Sequence, residues 1–294
     1  MRILFIGCVQ SSYRELKILL DNQKDVVGVI TKSASNFNSD FCDISSLAIE
    51  YDIPYKYVKN INDEDNINFI SMLKPDVIYC FGWSQLIDKK ILNIPHLGVI
   101  GAHPAELPNN RGRHPIIWAL VLGLTRTAAS FFRMDENADT GEIIAQEIVP
   151  IYYKDYAIDL YNRIENVECK LILQFTDELE KGINHPIKQE QNVGNSWRKR
   201  SRVDGKIDWR MTSNAIYNLV RALSRPYPGA EFEYDGKSIT VWRVEEVISD
   251  KYFNIEPGKV VKYNSEQDFY VKAYDNLVHI MECSANNVKE GDYL

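Results

Sequence analysis

The first hundred residues alternate short apolar runs, rich in β-branched side chains, with stretches whose apolar residues recur at helical spacing, and this alternation restricts the possible fold more than any other feature. Residues 2–7, 26–31, 54–58, 77–81 and 98–102 read as strands. Residues 12–21, 44–51 and 63–73 read as the helices between them. Strand and helix repeated in this order require right-handed crossovers and give a parallel sheet covered on both faces. The spacing therefore predicts an α/β fold, a Rossmann-like domain on a mostly parallel sheet. Gly7 is followed by Cys8-Val9-Gln10-Ser11-Ser12, without the GxGxxG spacing that brings a pyrophosphate onto a helix start, so a nicotinamide or flavin cofactor is not expected. Ser11 or Ser12 is expected to cap the first helix, with Glu15 completing a capping box.

Further along, residues 114–124 read as a helix opened near Pro115, residues 128–134 as a strand, and residues 135–141 as an acidic turn. Residues 158–179 form a long amphipathic pattern whose stripe of Leu160, Ile164, Val167, Leu171 and Phe175 is ordinary core. The chain is polar and irregular over 182–204. Strand-like runs then follow, including 230–234 and 238–244 joined by Asp235-Gly236, a strong hairpin signal. A length of 294 residues suits one large domain and one small one. The expected division is a catalytic domain over 1–200 and a smaller, mainly β, OB-like carboxy-terminal domain over 201–294.

The amino terminus lacks the apolar length and cleavage site of a signal peptide, and no run reaches the roughly 18 apolar residues that cross a bilayer, so a cytoplasmic protein without membrane partners is expected. Cys8, Cys42, Cys80, Cys169 and Cys283 form no CxxC pair and read as small buried residues rather than a disulfide framework. A net charge of −7 argues against a dedicated nucleic-acid binder.

The densest chemistry lies in His103-Pro104-Ala105-Glu106-Leu107-Pro108-Asn109-Asn110-Arg111-Gly112-Arg113-His114-Pro115, directly after a predicted strand, where open α/β sheets bind ligands. A second cluster, Met134-Asp135-Glu136-Asn137-Ala138-Asp139-Thr140-Gly141, follows the next strand. His103 and Asp139, brought together, can run proton-transfer chemistry. The residues alone leave this open: His103 equally suits a hydrogen-bonded loop and Asp139 a turn. His114 reads as structural. No metal site is expected, since no His or Cys pairing has ligand spacing.

The string HPAELPNNRGRHPIIWAL followed by TAASFFRMDENADTGEIIAQ resembles the core of the 10-formyltetrahydrofolate-dependent formyltransferases, the family of methionyl-tRNA, glycinamide ribonucleotide and sugar N-formyltransferases. WRKRSRVDGKIDW and LVRALSRPYPGAEFEYDGKSITVW resemble the linker and small β domain of the methionyl-tRNA and aminoarabinose-type members. The resemblance implies a catalytic His at His103 and a catalytic Asp at Asp139. The family Asn, two positions before the His, is Gly101 here, so the third catalytic group is unassigned, with Ser130 as a candidate borrowed donor. It also implies that 10-formyltetrahydrofolate, as co-substrate, sits against Phe81, Gly82, Trp83, Ser84, Gln85 and Leu86. The expected acceptor is a nucleotide-linked amino sugar, as in cell-surface polysaccharide biosynthesis, with Arg111 and Arg113 near its diphosphate. Residues 195–294 hold 15 Lys plus Arg against 15 Asp plus Glu, which disfavours tRNA, although residues 198–202 are locally basic. A methionyl-tRNA formyltransferase, a non-catalytic folate or sugar-nucleotide binder, and a homodimer formed through the small domain remain alternatives.

Overall fold

A computed structural model describes residues 1–35, 40–190, 192–285 and 287–294. The chain divides into two compact units. One comprises residues 1–115, 127–150 and 162–197, and the other residues 116–126, 151–161 and 198–294.

In chain order the elements of the first two hundred residues are β1 (Ile3–Ile6), α1 (Gln10–Asp21), β2 (Val26–Thr31), α2 (Ser45–Glu50), β3 (Tyr55–Tyr57), α3 (Glu64–Leu73), β4 (Val77–Cys80), α4 (Lys89–Leu92), β5 (Val99–His103), β6 (Arg111–Gly112), α5 (Pro115–Val121), β7 (Arg126–Arg133), β8 (Ile143–Pro150), α6 (Ala157–Glu180) and β9 (Ser196–Trp197). Seven strands form one sheet in the order β3-β2-β1-β4-β5-β7-β8, parallel from β3 to β5, with β7 antiparallel to β5. The mostly parallel sheet with helices is the architecture that the strand and helix alternation requires. Every residue of β1 and β4 is buried, as for parallel strands covered on both faces. Beneath the sheet, Phe5, Tyr79, Phe81, Phe131 and Phe175 make a chain of ring contacts with centroids 4.8 to 5.6 Å apart. Each such buried aromatic contributes on the order of 1.5–3 kcal/mol.

The start of α1 differs from the capping expectation. Val9 occupies the cap position and Ser12 lies in the first turn, where its hydroxyl accepts from the Val9 N–H (3.3 Å) and donates to the Phe81 carbonyl (2.8 Å). Ser12 thus ties the start of α1 to the end of β4. Glu15 takes no part in a cap. It falls with Ser12, Leu16 and Leu19 on the buried face of α1, and neither carboxylate oxygen has a hydrogen-bond partner. Glu165 and Glu168 of α6 are buried too, and all three carboxyl groups are pushed upward, chiefly by burial; Glu168 rises to about 8.

The second unit contains α7 (Ser213–Leu223) and an antiparallel sheet of β10 (Ala230–Tyr234), β11 (Lys237–Val247), β12 (Val260–Ser265), β13 (Asp268–Lys272) and β14 (Leu277–Cys283), ordered β10-β11-β14-β13-β12. The Asp235-Gly236 turn joins β10 to β11 in register. Two stretches from earlier in the chain also belong to this unit. Arg221 donates to the carbonyls of Tyr152 and Asp155, Tyr217 to that of Tyr153, and the Trp118 indole to that of Arg198. Among the described residues no helix is long and apolar enough to cross a membrane.

Candidate active site

His103 is the last residue of β5. It is buried, and its Nε2 lies 2.8 Å from the Asn110 carbonyl. A carbonyl can only accept, so Nε2 carries a proton and donates it to Asn110. Asp139 Oδ2 lies 3.7 Å from Nδ1 of the same ring. The two side chains meet by an indirect route. Because β7 runs antiparallel to β5, the chain leaves it beside Val99, with Met134 N–H donating to the Val99 carbonyl (2.7 Å). The loop after Met134 then returns to bring Asp139 to His103. Asp139 adopts a left-handed φ of +59°. Its carboxylate accepts the Gly112 N–H at 2.9 Å. Gly112 needs its lack of a side chain: at φ +102° a Cβ would lie 2.2 Å from the Trp197 carbonyl oxygen, in the two-residue pairing of β6 with β9.

Gly101, at the family Asn position, faces the same way as His103 two residues later along β5. Its cross-strand partner is Phe132. A Cβ at Gly101 would meet Phe132 Cζ at 3.0 Å and Met134 Cγ at 3.1 Å, so apolar side chains already fill the place where a third polar group would enter. Ser130, directly across from His103, is wholly buried. Its hydroxyl donates to the Ala105 carbonyl (2.6 Å) and accepts from Gln146 Nε2 (2.8 Å), so its proton is spent on the loop. His103 and Asp139 are the polar pair that remains.

Arg111 is buried, and its guanidinium reaches the Gln189 amide oxygen (2.8 Å) and the carbonyls of Asp139 (3.2 Å) and Val193 (3.3 Å). It shapes the loop from within and does not present its charge to a ligand. Arg113 is exposed and leans toward the Ser84 carbonyl (3.4 Å).

Residues 81–86 leave the end of β4 at the point where the sheet order reverses between β1 and β4, and they are irregular. The Phe81 ring belongs to the aromatic core, and its N–H donates to the Ile6 carbonyl (2.9 Å). Gln85 pins a neighbouring loop, accepting from Ile61 N–H (3.1 Å) and donating to the Lys59 carbonyl (2.6 Å). Leu86 is exposed. Trp83 lies under the Lys32 ammonium (4.8 Å to the ring centroid), and its indole N–H is buried with no hydrogen-bond partner. An orphaned donor at this position suits a polar heterocycle. Among the described residues no three His, Cys, Asp or Glu side chains converge as metal ligands. Cys8, buried nearby, has its thiol pushed up to about 11 by burial, so it is no nucleophile.

With this geometry in place, the comparisons with known proteins identify the class. Residues 1–176 match the formyl transferase family and residues 199–292 its carboxy-terminal domain. The chain belongs to the formyl transferase family and is a formyl-transferring enzyme. It is 28% identical over 287 residues to a methionyl-tRNA formyltransferase of Caldanaerobacter subterraneus subsp. tengcongensis, covering 96% of this chain and 91% of the relative. It is 32% identical over 252 residues to a methionyl-tRNA formyltransferase of Halothermothrix orenii, covering 80% and 79%. Among solved structures it shares the fold of WlaRD, a sugar 3N-formyl transferase determined with dTDP and 5-N-formyl-THF, with a TM-score of 0.71 and 18% identity over 98% of this chain and 99% of that one.

Proposed function

We propose that this enzyme transfers the formyl group of 10-formyltetrahydrofolate to the amine of a nucleotide-linked amino sugar. The acceptor class rests on one observation, the state of the basic run after Trp197. Arg198 pairs with both Asp204 oxygens, Arg200 donates to the Asp204 carbonyl, and Arg202 grips Glu231 with two hydrogen bonds (2.8 and 2.7 Å). The pairing holds the Glu231 carboxyl down at about 2, chiefly through the hydrogen bond from Arg202. The guanidinium groups of Arg198 and Arg202, paired with carboxylates in this way, offer little to a tRNA backbone, whose recognition depends on net positive charge. A diphosphate needs only one or two cations, and Arg113 is placed to supply one.

In this reading residues 82–86 hold the pterin, and 10-formyltetrahydrofolate supplies the formyl carbon. Nε2–H of His103 is committed to Asn110, so the donor that a protonated His103 has left is Nδ1–H, facing the same space as Asp139. Nδ1–H donates to the formyl oxygen as negative charge builds there; one such donor is worth about 2.7–4 kcal/mol. Asp139 accepts the proton that the attacking amine sheds as the new carbon–nitrogen bond forms, and that proton passes to the folate nitrogen as its bond to the formyl carbon breaks and tetrahydrofolate leaves. Only two side chains serve here, with Gly101 contributing none.

A second reading, methionyl-tRNA formylation, is favoured by sequence relatives that cover 80% and 96% of the chain. A turnover assay following tetrahydrofolate release separates the two. We expect release with 4-amino or 3-amino deoxyhexoses on a nucleoside diphosphate. Release with methionyl initiator tRNA alone would transfer the proposal to that acceptor, and release without any acceptor would make the enzyme a hydrolase.

A further inference from the structure

We propose that Gln189 is a positioning residue of this site: its buried side-chain amide, gripped by Arg111, holds the backbone of Asp139 and Gly141 in the turn that aims the Asp139 carboxylate at His103. The proposal rests on the reading of Asp139 as the group that takes the amine proton. Gln189 lies in the polar, irregular stretch that precedes the second unit, where the sequence shows only a linker.

The hydrogen bonds are complete and have one sense. Nε2 of Gln189 donates to the carbonyls of Asp139 (3.0 Å) and Gly141 (2.6 Å), and Oε1 accepts from Nε (3.2 Å) and Nη2 (2.8 Å) of Arg111. Carbonyls cannot donate and a guanidinium cannot accept, so the amide has a single workable orientation. Gln189 is 5% exposed, and an amide with all its donors and acceptor satisfied away from water holds its neighbours firmly. What it holds is unfavourable by itself: Asp139 has a left-handed φ, a conformation seldom adopted by residues with a side chain. With the peptide fixed, the carboxylate meets Gly112 N–H at 2.9 Å and stands 3.7 Å from His103 Nδ1.

The same strap serves the histidine. Ile187 exchanges two hydrogen bonds with Ile143 (both 2.8 Å), anchoring the strap to the sheet. Asn195 then accepts the Asn110 N–H on its side chain (2.9 Å) and the Arg111 N–H on its carbonyl (3.1 Å), and Asn110 receives His103 Nε2. The strap therefore sets Asp139 through Gln189 and His103 through Asn110. A misplacement of about 1 Å in such a pair can cost on the order of 100-fold in rate.

Gln189→Glu is the discriminating variant, because glutamate keeps the acceptors for Arg111 but loses both donors to the Asp139 turn. Amide hydrogen exchange at Gly112, read by NMR on the full chain without ligand, reports the grip independently of any acceptor. We expect the Gly112 amide to lose roughly 10-fold or more of its protection. In the tetrahydrofolate-release assay we expect kcat to fall about 10- to 100-fold while KM for 10-formyltetrahydrofolate stays within about 2-fold. The same substitution in an Asp139→Asn background should add less than about 2-fold. Wild-type protection at Gly112, or an equal loss of kcat in both backgrounds, overturns the positioning role. Full turnover by Asp139→Asn alone instead overturns the catalytic reading of Asp139, with the Gly112 exchange result still deciding whether Gln189 grips the turn.

Discussion

Restoring the family asparagine at Gly101 tests whether the missing third group is a deletion of function or a space that the protein has filled. Replacing a strand glycine normally stabilises by about 0.4–1 kcal/mol, because the unfolded chain loses freedom. Here the added Cβ meets Phe132 at 3.0 and 3.1 Å and Met134 at 3.1 Å, inside the 3.5–4.0 Å at which carbon atoms attract. Phe132 is 3% exposed and packed with Leu107 and Ile143, so its ring has little room to retreat; Met134 is only partly buried and can turn. Overpacking of this kind costs about 1–3 kcal/mol. The balance for Gly101→Ala is a loss of about 1 kcal/mol, or roughly 2–4 °C in Tm for a unit of this size. Gly101→Asn adds a carboxamide to the same wall and should lose about 2–4 kcal/mol. Differential scanning calorimetry reads the stability and tetrahydrofolate release reads the rate. We expect neither variant to exceed wild-type kcat, and Gly101→Asn with Met134→Ala to recover part of the lost Tm. A Gly101→Asn enzyme with unchanged Tm and a kcat raised by the roughly 100-fold that an oxyanion donor supplies would refute the idea that Phe132 and Met134 close this space.

Two further outcomes follow from the same packing. Burial raises the Glu15 carboxyl above its ordinary value, so the folded state binds the extra proton; the stability it contributes is fully present below about pH 4.5 and is lost as pH rises, and Glu168, raised to about 8, adds to the same trend. Glu15→Gln should flatten that slope, stabilising the protein increasingly as pH rises while changing little at pH 5, as measured by urea unfolding; a slope as steep as wild type refutes the assignment. Burial also pushes the thiols of Cys8, Cys80 and Cys169 up, to about 11 and about 12 for the first and third, so at pH 8 a thiol reagent should modify these three only on unfolding. Rapid native labelling of Cys169 would contradict that.

The parallel sheet was legible because β1, β2, β4 and β5 are short, apolar and separated by helical periods, and β10 and β11 because Asp235-Gly236 marks their hairpin. His103 and Asp139 were legible as types in motifs, but their meeting was not: it depends on an antiparallel β7 and a loop that folds back, neither written in residue spacing. The two-residue pairing of β6 with β9 is too short to carry a periodic signal, so the strap that orders the site reads as linker. Glu15 misleads for the opposite reason, since its spacing from Ser12 fits a capping box while its helical phase, shared with Leu16 and Leu19, buries it. Gly101 shows in sequence only what is missing; the Phe132 ring that fills the space comes from cross-strand register.

The most direct measurement is product formation from 10-formyltetrahydrofolate and a nucleotide-linked 4-amino or 3-amino deoxyhexose, with wild-type protein and His103→Ala side by side. We expect N-formylated sugar from the wild type and a fall of roughly 100- to 1000-fold in kcat for the variant, as for loss of an oxyanion donor. Formylation of methionyl initiator tRNA and not of any sugar, or full turnover by His103→Ala, would contradict the proposed acceptor or the proposed chemistry respectively.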